Sequence, residues 1–84
     1  MAVASDQVTV EDTATPVFTA GVAGVRLTVA NRGDGSVFLG GAGVTTSNGF
    51  QLDADKSVVL SLTPGDVVLG IVGSGTQTVH VISS

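Results

Sequence analysis

Apolar and polar residues alternate along most of this chain. In residues 24–31, Val25, Leu27 and Val29 alternate with polar or small residues, which is the period of a half-buried β-strand. The pattern therefore predicts an all-β chain. The other strand candidates are residues 7–11, 16–20, 36–40, 50–52, 57–62, 66–73 and 77–82.

The spacing of these candidates predicts how they pack. Residues 66–73 are almost continuously apolar, so we expect this strand at the centre of the fold. Turn signals separate the candidates: in residues 63–66, Pro64 fits a fixed φ and Gly65 fits a positive φ. Short strands at such intervals predict a small β-sandwich or β-barrel of about seven to eight antiparallel strands.

The 84 residues are enough for one small domain. Residues 21–84 hold the regular strand pattern and are predicted to form the β-sandwich or barrel domain. Residues 1–20 are less regular and are interrupted by Pro16. The alternatives for them are the first strands of the fold and an N-terminal arm that pairs only when a partner is present.

Composition narrows the ways in which so small a core can be stabilised. The chain has no Cys and one His, His80, which argues against disulfides and structural zinc. Hydrophobic residues make up 43% of the chain and charged residues 12%. Because small domains bury little surface, we expect this one to form a homo-oligomer or to dock on a larger partner.

Charge argues against several partners. The net charge is −4, with no basic patch or set of stacking aromatics, so we expect neither nucleic acid nor an anionic membrane as a partner. No apolar run approaches the roughly 20 residues of a transmembrane helix. The first residues lack the features of a secretory signal, so we expect synthesis in a cytoplasm.

Motifs for chemistry are incomplete. Asp53 and Asp55 do not extend into a calcium-loop pattern, and the glycine-rich stretches are not followed by the Lys-Ser/Thr of a phosphate loop. His80 could belong to the catalytic triad of a hydrolase only if the chain also had a nucleophile elbow. The nearest stretch, residues 73–76, does not match Gly-x-Ser-x-Gly. The sequence therefore predicts no enzyme, no cofactor and no metal site.

The tripeptide Arg32-Gly33-Asp34 matches a cell-adhesion signal. Its neighbours Asn31 and Gly35 tolerate left-handed backbone, and two strand candidates flank the segment. A hairpin loop explains these residues without adhesion. We therefore interpret the tripeptide as part of a hairpin.

One stretch carries a family resemblance. Residues 37–82, with "VFLGG", "VTTSNGFQL", an alternating strand and a final Gly-Ser-Gly-Thr before the last strand, resemble small β-rich proteins encoded among the head genes of tailed bacteriophages. The usual Ala-Gly of the middle turn is Ala54-Asp55-Lys56 here. The resemblance implies a capsid decoration, cement or minor capsid protein.

Several expectations depend on this resemblance. The chain would bind the outside of a phage head, stabilise contacts between major capsid protein subunits, and reside in the virion after synthesis in the bacterial host. Three-fold positions on an icosahedral shell favour a trimer over a dimer. The alternative is a carbohydrate- or receptor-binding module of a phage tail, neck or head fibre.

The partner-binding residues are predicted from the irregular leading segment. Apolar side chains there are free to become anchors at an interface, whereas we expect Phe38 and Phe50 inside the fold. The predicted partner-binding residues are Val3, Val8, Val10 and Phe18.

Overall fold

The strands predicted from the sequence are present in the computed structural model of the protein, which describes residues 3–21 and 24–84. The strands in chain order are β1 (Ala4–Val10), β2 (Thr15–Thr19), β3 (Val25–Asn31), β4 (Val37–Gly40), β5 (Phe50–Leu52), β6 (Ser57–Leu62), β7 (Val67–Ile71) and β8 (Gln77–Ser83).

These strands form two antiparallel four-stranded sheets. Sheet A has the order β1-β8-β3-β6, and sheet B has the order β2-β7-β4-β5. Consecutive strands lie in different sheets, except for β4 and β5, which pair with each other. This order is that of a jelly roll, a sandwich of eight strands in two sheets. The prediction of a small all-β sandwich is confirmed.

The core follows from alternation along the inner strands. In sheet A, Leu27 and Val29 of β3 and Val79 of β8 are completely buried. They face sheet B, where Val37 is also completely buried and β7 lies between β2 and β4. Full burial of such a side chain contributes about 1.5–3 kcal/mol. The expected inner position of residues 66–73 is confirmed for β7.

The strands predicted in residues 1–20 lie at sheet edges. β1 pairs with β8 along its whole length, and β2 pairs with β7 with a register shift between Pro16 and Phe18. Val10 and Val17 reach the core from these two strands. The dependence of residues 1–20 on a partner stays a prediction.

The prediction that Arg32-Gly33-Asp34 lies in a loop is confirmed, but the loop is not a hairpin. β3 belongs to sheet A and β4 to sheet B, so the segment between them crosses from one layer to the other. Glycine is suited to position 33 because the backbone passes close to Gln77, and a Cβ there would overlap the Gln77 side chain. The glycine therefore permits a close approach rather than a hairpin turn.

The turn in residues 63–66 also crosses between layers. It joins β6 of sheet A to β7 of sheet B. Gly65 has a φ of 84°, as its sequence context predicts, and the N–H of Asp66 donates to the carbonyl of Thr63 at 3.1 Å. The local turn was therefore predicted correctly.

Two phenylalanines do not lie where the sequence analysis expects them. Phe38 pairs with the exposed Gln51, so it lies on the outer face of sheet B, where it is half-buried. Phe50 pairs with the buried Leu39 and faces inward, yet 60% of it is exposed. The cause is the position of β5 at the sheet edge, where nothing from sheet A covers it fully.

Candidate interaction surfaces

The two sheets leave four edge strands, and three of these carry features that discourage pairing. In sheet B, β2 contains Pro16 and a register shift, and β5 has only three residues. In sheet A, β1 has the charged Asp6 opposite the buried Val81, so the carboxylate lies on the inner side of the edge. Proline, bulges, short strands and inward charges all protect an edge from further pairing.

The edge strand β6 differs from the other three. Its sequence from Ser57 to Leu62 has no charge and no proline, and its register with β3 is continuous. Ser57, Val59 and Ser61 are exposed, whereas the side chains between them are half-buried. An uncharged and regular strand at a sheet edge is a template for another strand.

An apolar groove runs beside β6, with a cavity volume of about 350 Å³. It is open because β5 has three residues and cannot cover the six of β6. Phe50 and Val67 are 60% and 42% exposed there. Its apolar walls are Val58, Leu60 and Leu62 from β6 and Leu39, Phe50 and Val67 from sheet B. A groove of this composition can take up apolar side chains.

The predicted partner-binding residues occupy three environments. Val3 is 67% exposed and precedes β1. Val8 and Phe18 are half-buried and pack against the core. Val10 is completely buried, so a partner could touch it only if β1 left sheet A. Of the four, Val3 offers the most surface in the folded domain.

A second cleft lies between the edge strands β1 and β2. It has a volume of about 210 Å³ and is lined by Ala4, Asp6 and Phe18, among others. Val3 directly precedes this cleft in the chain. The structure therefore brings Phe18 to the same side of the domain as the start of β1. This side is opposite β6 in sheet A.

The outer face of sheet A forms a shallow depression around His80. Gln7 lies opposite His80 on one side and Ala30 on the other, and Ile82 lies next along β8. The side chains there are small or uncharged apart from Asp6 at its border. A face of this kind suits contact with another protein surface better than it suits binding of a charged ligand.

The Arg32-Gly33-Asp34 segment is held against the domain. The N–H of Asp34 donates to Oε1 of Gln77 at 3.0 Å, and Nε2 of Gln77 donates to Oδ1 of Asp34 at 3.1 Å. Asn31, at its start, is completely buried. These hydrogen bonds explain the conformation of the segment by its contacts within the domain.

The acidic residues give no metal centre in the described ranges. No group of three or more His, Cys, Asp or Glu side chains could hold a metal ion within residues 3–21 and 24–84. Oδ1 of Asp53 accepts hydrogen bonds from Ser36 and Gln51, both at 2.9 Å. The same ranges contain no helix long and apolar enough to cross a membrane.

Asp66 has a perturbed carboxyl group. The backbone N–H of Thr63 donates to its Oδ2 at 2.9 Å, and the Thr63 hydroxyl donates to the same oxygen at 2.8 Å. Both bonds favour the ionised form and lower the pKa of Asp66, the backbone bond more strongly. Asp66 is therefore a fixed negative charge at the end of the apolar groove.

Comparisons with known proteins identify a similar fold. No protein-family model and no curated protein matches this chain. Among solved structures, the chain is similar to one from the Bacillus endospore appendages, described as a family of disulfide-linked pili. The TM-score is 0.57 and the identity is 16%, over 96% of this chain and 86% of the other. At this identity the likeness concerns the fold alone.

The groove and the free edge of β6 were missed by the sequence analysis. The strand itself was predicted, but its place at an edge depends on which strands pair, and these are distant in sequence. One signal was available: every polar residue of Ser57–Leu62 is a serine. An exposed edge without a charge is unusual, and this composition could have marked it.

Proposed function

We propose that this protein is a capsid decoration or cement protein of a tailed bacteriophage, which binds the outside of the head and stabilises contacts between major capsid protein subunits. The sequence resemblance of residues 37–82 leads to this proposal. Jelly rolls occur in viral capsid proteins, lectins and cupins, so the fold is compatible with the role without selecting it.

The observation that carries the proposal is the exposed apolar residue Val3, which directly precedes β1 in the chain. Val3 is 67% exposed, and the next residue, Ala4, lines the β1–β2 cleft together with Phe18. An apolar side chain next to a partly filled cleft is suited to anchor a partner, because binding would remove both from water. We place the contact with the major capsid protein here.

The mechanism is mechanical. The protein binds to the assembled shell through the side that bears Val3 and holds neighbouring capsid subunits together. Burial of apolar surface contributes about 25 cal/mol per Å² before the costs of association, so several copies acting together stabilise a shell more than one does. The chain contributes no reacting group to this role.

The test combines detection with binding. Mass spectrometry of purified particles of the encoding phage should detect the protein, and purified protein should bind particles that lack it. Val3→Asp should weaken this binding by about 10-fold or more, because a charge would be buried at the contact. Val67→Asp changes another exposed apolar residue, beside β6 and away from β1, and should leave the binding unchanged. Absence from particles together with no binding would refute the proposal.

A second candidate is a subunit of an extracellular filament. The similarity in fold to an endospore appendage protein favours it. The present 84 residues contain no cysteine, so their filaments would have to be held by non-covalent contacts. Electron microscopy of the concentrated protein, alone and mixed with capsids, distinguishes the two: long filaments of the protein alone support this candidate, and discrete copies bound to capsids support the first.

A further inference from the structure

The backbone groups on the free edge of β6 can be assigned residue by residue. The N–H of Asn31 donates to the carbonyl of Lys56 at 2.9 Å. Hydrogen-bonded pairs alternate along an antiparallel ladder, so Val58, Leu60 and Leu62 direct their backbone groups to β3. The N–H and C=O groups of Ser57, Val59 and Ser61 therefore face away from the sheet.

We propose that β6 pairs antiparallel with β6 of a second copy, about a two-fold axis at Val59. In this register Val59 lies opposite Val59 of the second copy, and Ser57 lies opposite Ser61. All of these residues have free edge groups, so each pair can exchange two backbone hydrogen bonds. A two-fold contact of a strand with itself is self-complementary and closes at two copies.

The side chains agree with this register. Opposite residues of an antiparallel pair point to the same face, so Val58 of one copy meets Leu60 of the other on the inner side. On the outer side the two Val59 side chains meet, and each is 57% exposed in the single chain. Val58, Val59 and Leu60 thus each lie opposite an apolar residue of the second copy.

The second copy would also cover the groove. Five large apolar side chains are exposed among the described residues. Two of them, Phe50 and Val67, line the groove, and a third, Val59, lies on the outer side of β6. Pairing brings the inner row of the second β6 towards the gap that the short β5 leaves open. The two half-filled grooves then become one continuous core.

Charged residues of both copies meet at the two ends of the paired strands. Lys56, the one lysine of the chain, lies opposite Leu62 of the second copy in this register. The next residue, Thr63, holds the ionised carboxylate of Asp66 at 2.8 Å from its hydroxyl. The same register places Asp55 of the second copy opposite Thr63, so each end combines Lys56 with Asp55 and Asp66. The free edge groups and the apolar side chains of β6, rather than its charged ends, match a second copy of this chain.

Two-fold pairing makes the oligomer a dimer, whereas the sequence analysis expects a trimer. Light scattering of the purified protein should give about twice the 8.2 kDa mass of one chain. This result does not depend on capsid binding, because it needs only the isolated protein. A protein that dimerises but does not bind particles would refute the proposed function and support this inference.

A proline variant tests the edge itself. Val59→Pro removes the central edge donor from both copies without removing a hydrogen bond to β3, and an edge strand tolerates proline at such a position. It should weaken dimerisation by about 100-fold. The matched control is Thr9→Pro, which removes an N–H from the free edge of β1, since the same alternation applies there. Val59→Lys covers the case in which the proline variant does not fold.

Cysteine variants test the register, because the natural chain has no cysteine. Opposite Cα atoms of a hydrogen-bonded pair are about 5.5 Å apart, which is within reach of a disulfide. Val59→Cys should therefore form a covalent dimer on mild oxidation. Ser61→Cys should not, since it lies opposite Ser57 and roughly 13 Å from Ser61 of the second copy. A monomeric natural protein, or a dimer that survives both Val59→Pro and Val59→Lys, overturns the proposal.

Discussion

Nδ2 of Asn31 donates a hydrogen bond to the carbonyl oxygen of Leu52 at 2.9 Å, which joins the end of β3 in sheet A to the end of β5 in sheet B. The same Nδ2 donates to the carbonyl of Gly35 at 2.7 Å, and Oδ1 accepts from the N–H of Gly33 at 3.0 Å. One buried amide on a strand of sheet A therefore satisfies backbone groups of sheet B and of the crossing segment.

Asn31→Ala should destabilise the domain by about 2–4 kcal/mol, because it leaves buried carbonyl groups without a donor. Urea unfolding followed by circular dichroism measures the loss. The control is Asn48→Ala, which removes an exposed amide that accepts from the N–H of Thr45 at 2.7 Å. Asn48→Ala should cost about 1 kcal/mol or less. An equally small loss for Asn31→Ala would contradict the role of the buried amide.

Asp55 has a φ of 61°, the left-handed conformation that glycine adopts most readily. Asp55→Gly should leave the stability unchanged or raise it by a few tenths of a kcal/mol. Asp55→Val should lower it by about 1–2 kcal/mol, since a β-branched residue fits this conformation poorly. Thermal unfolding of both variants checks the order. A valine variant as stable as the natural protein would argue against the left-handed turn.

Acid should reveal the contribution of Asp66. Its pKa is lower in the folded protein than in the unfolded chain, so its stabilisation is complete above the ordinary aspartate pKa of about 3.9. It is lost as the pH falls from there through the lowered pKa. Asp66→Asn should therefore lose less stability than the natural protein over this acidic range. Asp12→Asn controls for the change in net charge; equal acid sensitivity of all three proteins would exclude the effect.

Val10→Ala tests whether the leading strands fold with the isolated domain. Val10 is completely buried, so the change should cost about 2 kcal/mol through lost burial and a small cavity. Val3→Ala changes an exposed residue and should alter stability by about 0.5 kcal/mol or less. Equilibrium unfolding measures both. If Val10→Ala had no effect, β1 would be unpaired in the free protein, as the partner-dependent arm requires.

The strands were predictable because their signals are local. Ser57–Leu62 and Phe50–Leu52 have the predicted bounds, and Gly65 has the predicted positive φ. Alternation and turn residues act over a few positions, so they can be read from a short window of sequence.

The pairing of strands was not predictable in the same way. β3 lies between β6 and β8, which follow it by about 30 and 50 residues, and no local pattern encodes such partners. Asn31 resembled a loop residue because asparagine favours turns, yet its amide is buried between the layers. Phe50 was expected inside from its apolarity alone, which does not show that its strand lies at an edge. The candidate surface around β6 was missed for the same reason.

The placement of β1 and β6 at opposite edges of sheet A determines how a mechanical force would pass through the dimer. Strands lie about 4.8 Å apart, so the paired eight-stranded sheet would measure about 34 Å from one β1 to the other, with a Val3 at each extremity. Tension between these two anchorages would pass through every ladder in series. The β6–β6 contact centred on Val59 has the fewest backbone hydrogen bonds, so the two copies would separate there first.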